Sequence, residues 1–165
     1  MQIRHAVPSD LLMIDSVYNQ AVSAGQKTGD LTPYTPETRL SWFLNHANLR
    51  YPLWVAEDMG VIKGFVSLSP YRPGREALRF TAEVSFYVDE QFHRQGIASQ
   101  LLQQAITQAS QIGLKTLFAI VMDSNQASVQ LLLKFDFAQW GHMPGVADFG
   151  GVEIGHLYFG KRIIN

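Results

Sequence analysis

The chain has no cysteine among its 165 residues. That excludes disulfides, a thiolate nucleophile and cysteine-ligated metal together, and it fits a reducing compartment. An excess of charge of either sign is also missing: thirteen Lys and Arg stand against fourteen Asp and Glu, a formal net charge of -1. No global field draws in a polyanion, so no nucleic-acid partner is expected and any anionic ligand must be caught by local groups. Apolar runs of the roughly 18 residues that a membrane span needs are lacking, because charge or glycine interrupts every apolar window. The opening MQIRHAVPSD carries Arg4 and Asp10 with no long apolar stretch behind them, unlike a secretory leader. A cytoplasmic protein without a membrane partner is therefore expected. His5, His46, His93, His142 and His156 lack ligand spacing, so no metal is expected. Trp42, Trp54 and Trp140 have no basic stripe beside them and read as core or interface residues. What is present is 47% hydrophobic residues, enough for a sizeable core, over a length that suits one domain spanning residues 1–165.

Periodicity divides the chain into alternating elements. Gln2 to Ala6 reads as a strand, and Ser9 as the N-cap of a helix carrying Leu11, Leu12, Ile14, Val17, Tyr18 and Ala21, ended by Gly25. Gly25 to Tyr34 reads as a loop of the kind that lines sites. In TPETRLSWFLNH, Thr35 is the candidate N-cap and Pro36 the first helical residue, with Leu40, Phe43 and Leu44 on one face. Leu53 to Glu57 and Val61 to Ser69 read as a hairpin around Asp58, Met59 and Gly60, and PYRPGRE breaks the sheet before a strand from Arg79 to Val88. A helix from Gly96 carries Ile97, Leu101, Leu102, Ala105, Ile106, Ala109 and Ile112 and stops at Gly113. Thr116 to Met122 reads as a strand covered on both faces, and Ser124 to Phe135 as a short amphipathic helix. Two strands, Phe137 to Met143 and Ile154 to Lys161, then flank a Gly-rich loop. The sum is one mixed sheet flanked by helices, of α/β class.

The strand SFYVDEQ is joined to the helix at Gly96 by Phe92, His93, Arg94 and Gln95. Glycine at such a junction lets the backbone approach a ligand closely. The first amides of a helix have no internal acceptors and sit at the positive end of its dipole, so they can hold a phosphate, with Arg94 adding charge. A Gly-x-Ala turn alone reads equally as an eased turn among solvated side chains. The longer run EVSFYVDEQFHRQGIASQLLQQAI resembles the CoA-binding signature of the GNAT superfamily of N-acetyltransferases: Arg or Gln, two residues, Gly, one residue, then Gly or Ala. Gly96, Ile97 and Ala98 match, and His93 stands in the leading position. The resemblance implies a GNAT fold, its mixed sheet splayed at the CoA site and flanked by about four helices, with acetyl-CoA as co-substrate and no metal. It implies that amides from Arg94 through Gln95, Gly96, Ile97 and Ala98 to Ser99 hold the CoA pyrophosphate. The strand through Phe86, Tyr87 and Val88 would then pair with the pantetheine arm, and Leu117 to Met122 would splay away to admit it. NQASVQLLLKFDF is similar to the family's Asn-x-x-Ser segment, which makes Asn125 and Ser128 CoA contacts; Asn125 also reads as an N-cap worth about 1 kcal/mol. At Leu132 and Asp136 the nearer subfamily carries His and Gly, and many GNAT enzymes carry there a Tyr that protonates the departing thiolate, which Leu132 cannot do.

Outside that motif the chain resembles phosphinothricin acetyltransferase-like enzymes, which acetylate the α-amino group of amino acids such as phosphinothricin or methionine sulfone analogues. The carrying residues are IRHAVPSDL, Tyr18-Asn19, Ala21-Val22, Trp42-Phe43, Val55-Ala56-Glu57 and SLSPYRPGREALRFTAEVSFYV. The resemblance implies a homodimer with the substrate pocket near its interface, and Arg72 and Arg75 as ligands of the substrate carboxylate, a task that suits a planar guanidinium. Solvated loop arginines are the alternative. An α-amino group of pKa near roughly 8 must lose a proton before it attacks a thioester. Glu83 is the candidate base, because an acid on a largely apolar strand either enters a cleft or pairs, here with Arg79 or Arg75. For the thiolate's proton Tyr158 stands first, with His156, Tyr87 and water as alternatives. The loops TGDLTP and DFGGVE depart from the subfamily's Thr-Ala-Thr-Phe and Lys-Phe-Gly-Arg-Trp; Asp148 and Gly151 replace two cations, which is expected to weaken a doubly acidic substrate. Two further readings stay open: a CoA-holding regulatory module that transfers nothing, and an acetyltransferase of a protein N-terminus.

Overall fold

The first residues form a strand, β1 (Gln2–His5), as their alternation predicts. Ser9, however, does not cap the following helix α1 (Leu11–Ala24). Pro8–Asp10 is a short 3-10 turn, and the Asp10 carboxylate accepts the Val7 N–H at 2.8 Å. Arg4 grips the same carboxylate at 2.7 and 3.0 Å and reaches Glu57 at 2.7 Å. Charge-assisted bonds of this kind outcompete a serine hydroxyl for the capping role, and they tie β1 to the helix start. The computed structural model describes residues 1–46 and 50–163.

Helix α2 (Pro36–Asn45) starts as predicted, with Thr38 Oγ1 accepting the Thr35 N–H at 3.0 Å. Its inner face differs from the expectation. Phe43 is buried, but Leu40 and Leu44 are 46% and 56% exposed, and the residue that turns inward one helical turn before Phe43 is Arg39. At about 100° per residue the set 39, 43, 46 shares a face that 40 and 44 miss. The apolar letters alone pointed to the wrong stripe because a buried cation belongs to the right one.

Strands β2 (Leu53–Asp58) and β3 (Val61–Pro70) form the expected hairpin, with Asp58 inside the strand and Met59 and Gly60 alone in the turn, both at positive φ as a two-residue turn requires. A 3-10 turn at Glu76–Leu78 delays β4 to Thr81–Val88. Then come α3 (Ile97–Gln111), β5 (Thr116–Met122) and α4 (Gln126–Lys134). The expected Gly-rich loop is largely strand: β6 (Ala138–Asp148) runs past Pro144 and β7 (Glu153–Arg162) returns after a turn closed by Phe149 N–H to Val152 O at 2.9 Å. Proline is tolerated there because β6 is an edge strand and its register is broken between Met143 and Ala147.

Among the described residues seven strands form one mixed sheet in the order β1-β2-β3-β4-β5-β7-β6, in which β4 and β5 are the parallel pair. Alternate residues serve opposite faces. Trp54, Leu68, Val84, Leu117 and Phe159 pack against Leu101, Leu102 and Leu132 of α3 and α4, while Leu53, Val55 and Phe65 pack against Ile14, Val17 and Phe43 of α1 and α2. Each such side chain contributes about 1.5–3 kcal/mol by leaving water. Among the described residues no helix is long and apolar enough to cross a membrane.

Candidate active site

The parallel pair β4 and β5 is joined at three positions only, Thr81 with Thr116, Ala82 with Leu117 and Glu83 with Phe118. Beyond them β4 keeps its β3 partner and β5 its β7 partner, so the two strands part. The separated edge of β4 leaves peptide groups that need partners from outside the sheet, and an extended amide-bearing chain laid along it meets that need. A cavity of about 610 Å³ occupies the opening, lined by β4 from Val84 to Val88 and by Ala119, Ile120 and Val121 of β5.

Two helices start at this cavity. The first helical bond of α3 runs from Gln100 N–H to Gly96 O at 3.1 Å, so the amides of Ile97, Ala98 and Ser99 have no acceptor inside the helix. Gly96, at φ 77, and Arg94, at φ 61, are both left-handed, and successive turns of that kind form concave anion sites. At α4, Asn125 Oδ1 accepts the Ser128 N–H at 3.4 Å, and both residues line the cavity, so Asn125 caps the helix at the cavity wall. Of the residues predicted to bind CoA, Phe86, Tyr87, Val88, Arg94, Gly96, Ile97, Ala98, Ser99, Asn125 and Ser128 all line the cavity, and Gln95 does not. His93, the departure from the family pattern, donates through Nε2 to the Val88 carbonyl at 3.0 Å and so fastens the loop to the end of β4.

A second cavity of about 300 Å³ adjoins the first, and Lys27, Ser85, Tyr87 and Ile120 line both. Its floor is polar: Ser67 faces Ser85, and Ser69 faces Glu83, across β3 and β4. Glu83 makes no ion pair with Arg75 or Arg79; Arg79 lies over the Phe80 ring at 4.3 Å and donates to the Glu76 carbonyl at 3.1 Å. Burial pushes the Glu83 carboxyl above its ordinary value, against a hydrogen bond with Ser85 that lowers it. Burial likewise raises the Tyr87 phenol. The first loop reaches the cavity through Lys27, Thr28 and Gly29; it is held by Tyr18, whose hydroxyl donates to Asp30 and lies 2.6 Å from Thr28 Oγ1.

Helix α2 supplies the opposite wall. The Arg39 guanidinium lies between Tyr18 and Trp42, 3.9 and 4.2 Å from their ring centres. Its Nε is 3.5 Å from Asp15 Oδ1, but Nη1 and both Asp15 oxygens are buried without hydrogen bonds. Burial raises Asp15 and lowers Arg39 from their usual values. One turn on, His46 Nδ1 is 2.7 Å from the Trp42 carbonyl and Nε2 is 3.1 Å from Ser69 Oγ. Burial, with the Arg39 cation, lowers the His46 pKa against hydrogen bonds to the Trp42 and Leu68 carbonyls that raise it, and the net lowering favours the neutral ring.

Besides Gln95, three predicted residues lie outside both cavities. Arg72 and Arg75 are exposed in a turn closed by Arg75 N–H to Arg72 O at 3.2 Å, where the short two-proline segment carries them away from the sheet face. Tyr158, opposite Ile120 on β7, packs against Phe118 at 5.4 Å between ring centres; its neighbour on the same face, His156, lines the smaller cavity. The cations that do line that cavity are Lys27 and Arg39, and neither was singled out from the sequence, though Arg39 three residues before Trp42 carried the signal. Leu132 is wholly buried in the core, and the residues of α4 that line the larger cavity are Ala127, Ser128 and Leu131. Among the described residues no group of three or more His, Asp or Glu is placed to hold a metal ion.

A mixed sheet parted between its two parallel strands, with two helix N-termini at the gap, defines an acyl-CoA-dependent N-acyltransferase. Residues 15–137 match the Acetyltransferase (GNAT) family, and the chain belongs to it. It is 39% identical over 164 residues to YwnH of Bacillus subtilis (strain 168), covering 99% of both chains. It is 36% identical over 145 residues to the L-methionine sulfoximine/L-methionine sulfone acetyltransferase of Pseudomonas aeruginosa, covering 87% of this chain and 84% of that one. The structure of yncA from Salmonella typhimurium with its cofactor acetyl-CoA superposes with a TM-score of 0.94 at 27% identity, over 100% of this chain and 95% of that one. The chain is an N-acetyltransferase that uses acetyl-CoA.

Proposed function

We propose that the chain, as one catalytic domain over residues 1–165, transfers acetyl from acetyl-CoA to the primary amine of a small amino-acid-like substrate by direct attack on the thioester. One observation carries this reading: a half-buried, unpaired carboxylate, Glu83, on the floor of a 300 Å³ cavity that opens into the larger cavity at Ser85 and Tyr87. The name of the Pseudomonas relative supports the acceptor class.

In this reading the amides of Ile97, Ala98 and Ser99, with Arg94, hold the pyrophosphate, and the free edge of β4 at Phe86, Tyr87 and Val88 pairs with the pantetheine amides. Glu83 takes one proton from the substrate ammonium and frees its lone pair. The N–C bond forms, the C–S bond breaks with its electron pair on sulfur, and the second proton that nitrogen sheds balances the thiolate. Tyr87, which lines both cavities where they meet, stands closer to the departing thiolate than Tyr158, which lines neither, and delivers its proton. Lys27 and Arg39, rather than Arg72 and Arg75, meet the acceptor carboxylate.

The same reading puts the enzyme in the cytoplasm, with its acetyl-CoA, and makes it a homodimer. Edge strand β6 exposes Trp140, Met143 and Val146, an apolar strip that a second copy would cover. A peptide acceptor fits poorly, since a 300 Å³ cavity suits an amino acid and not a chain. The test is thiol release over free amino acids, methionine sulfone, methionine sulfoximine, phosphinothricin, polyamines and short peptides. Turnover is expected with amino-acid-like amines; turnover with peptides alone, or none with any amine, overturns the reading.

A further inference from the structure

We propose that Ser69 is a second hydrogen-bond acceptor for the attacking amine, and that His46 is the positioning residue that holds it in that role. The inference rests on the acceptor cavity being the one floored by Glu83.

The geometry assigns each hydrogen. A carbonyl oxygen only accepts, so the 2.7 Å contact of His46 Nδ1 with the Trp42 carbonyl puts the ring hydrogen on Nδ1. Burial keeps the ring neutral against the pull of the Trp42 and Leu68 carbonyls; with its hydrogen on Nδ1 toward Trp42, Nε2 is bare and the Ser69 hydroxyl 3.1 Å away donates to it. A free serine hydroxyl turns to donate or accept as its surroundings require. Ser69 has spent its only hydrogen on His46, and toward the cavity it lines it presents lone pairs alone. A buried imidazole is a costly way to hold a surface serine, but an effective way to fix the polarity of one in a site.

The placement of Ser69 matches what an amine needs. Ser69 and Glu83 are directly opposed on β3 and β4, and such residues hold their Cβ atoms about 4.5–5.5 Å apart. Two acceptors that each sit about 2.9 Å from one tetrahedral nitrogen, along its N–H directions, stand about 4.7 Å apart. Ser69 and Glu83 both line the smaller cavity from one face of the sheet, and with their oxygens set that far apart the pair takes the two hydrogens of a primary amine, leaving the remaining tetrahedral directions to the substrate carbon and the attacking lone pair. Once Glu83 has released the ammonium's proton to solvent, the N–H that it holds gives up the second proton on attack, which balances the thiolate, and the other N–H stays on Ser69 and becomes the N–H of the product amide. A secondary amine, or an alcohol, cannot satisfy both acceptors, so the same pair selects a primary amine.

The test is steady-state kinetics with L-methionine sulfone as acceptor, on the wild type, Ser69→Ala, Ser69→Thr, His46→Phe, His46→Gln and Ser69→Ala/His46→Phe. Ser69→Ala is expected to lower kcat at least tenfold with the KM of acetyl-CoA unmoved, and Ser69→Thr, which keeps a hydroxyl, to recover most of it. His46→Phe is expected to fall by the same factor, and the double variant to fall no further, because His46 acts through Ser69. His46→Gln, whose side-chain oxygen accepts the serine hydrogen, is expected to recover part of the loss and serves in place of His46→Phe if the ring's replacement does not fold. Wild-type kcat in Ser69→Ala, or a double variant that loses the product of the two single factors, overturns the inference. A wild type that releases no thiol with any amine overturns the reading of the cavity, and this inference with it.

Discussion

Glu83 faces Phe118 at the last paired position of β4 and β5, so the candidate base stands at the root of the split that admits the cofactor. Residues before it are locked in the sheet; residues after it line the two cavities. A carboxylate at that point is carried by backbone paired on both sides, and its hydrogen bond with Ser85 adds to a position that the sheet already fixes.

Removing that charge is predicted to separate activity from stability. The folded-state pKa of Glu83 lies above its ordinary value of 4.5, so the protonated carboxyl is the form that folding favours. Its contribution to stability is fully present below about pH 4.5 and is lost as pH rises through the raised folded value. Glu83→Gln has no such loss: its Tm advantage over wild type is expected to grow as pH is raised from 4.5 toward neutrality. Turnover should fall by about 10²–10⁴, and the acid limb of the wild-type rate profile, set above the ordinary carboxylate range, should vanish. Melting curves across pH beside kcat/KM profiles check both; a Gln variant that melts lower at every pH contradicts the assignment.

A second prediction concerns Gly64, which pairs with Val88 where β4 borders the larger cavity. A Cβ there would stand 2.7 Å from the Tyr87 carbonyl oxygen and 3.2 Å from Val88 Cα, both backbone atoms that cannot step aside. Gly64→Ala should therefore push β4 into the space beside β5. The expected outcome is a loss of about 1–3 kcal/mol of stability and a raised KM for acetyl-CoA, with the KM of the amine changed less. Denaturant melts and two-substrate kinetics measure both.

The cofactor half of the site was legible because it is local. One strand, one turn and one helix between Ser85 and Ser99 carry nearly all of it, and a left-handed glycine before a helix has few other uses. The acceptor half was not, because no stretch of sequence contains it. Ser69 meets Glu83 only through the register of β3 with β4, and Arg39 reaches the cavity, and His46 reaches Ser69, only because the face of α2 that carries Arg39 and leads to His46 turns inward. The local signal at Arg72 and Arg75 pointed to a site, but their turn leaves them on the surface. Ser9 does not cap α1 for a similar reason: the Asp10 carboxylate, gripped by Arg4 from another element, closes the 3-10 turn before the helix.

Arg39 gives a prediction in which stability and binding part again. Its side chain is 7% exposed and that of Asp15 3%. Arg39→Leu leaves the Asp15 charge buried and unpaired, which costs about 3–5 kcal/mol. Replacing both, as Asp15→Leu/Arg39→Leu, removes the orphaned charge together with its partner and should recover most of that loss. Acceptor binding should not recover, because the guanidinium held between Tyr18 and Trp42 is gone in both variants. Melts and the KM of methionine sulfone, taken on the single and the double variant, distinguish a structural pair from one that also binds substrate.

The last prediction sets the two pairs of cations against each other. Lys27 lines both cavities and Arg72 lines neither. An exposed arginine in a surface turn meets a carboxylate only through solvent, where a charge pair is worth at most about 1 kcal/mol and fades with salt. Lys27→Ala is therefore expected to raise the KM of an amino-acid acceptor severalfold, and to do so less for the corresponding amine that lacks the carboxylate. Arg72→Ala should leave both constants within twofold of wild type. Running the two acceptors side by side isolates the carboxylate, since any general damage to the loop that carries Lys27 would raise both constants alike. A large effect of Arg72→Ala confined to the carboxylate-bearing substrate would return the clamp to the surface turn, and would mean that the turn closes over the cavity when substrate binds.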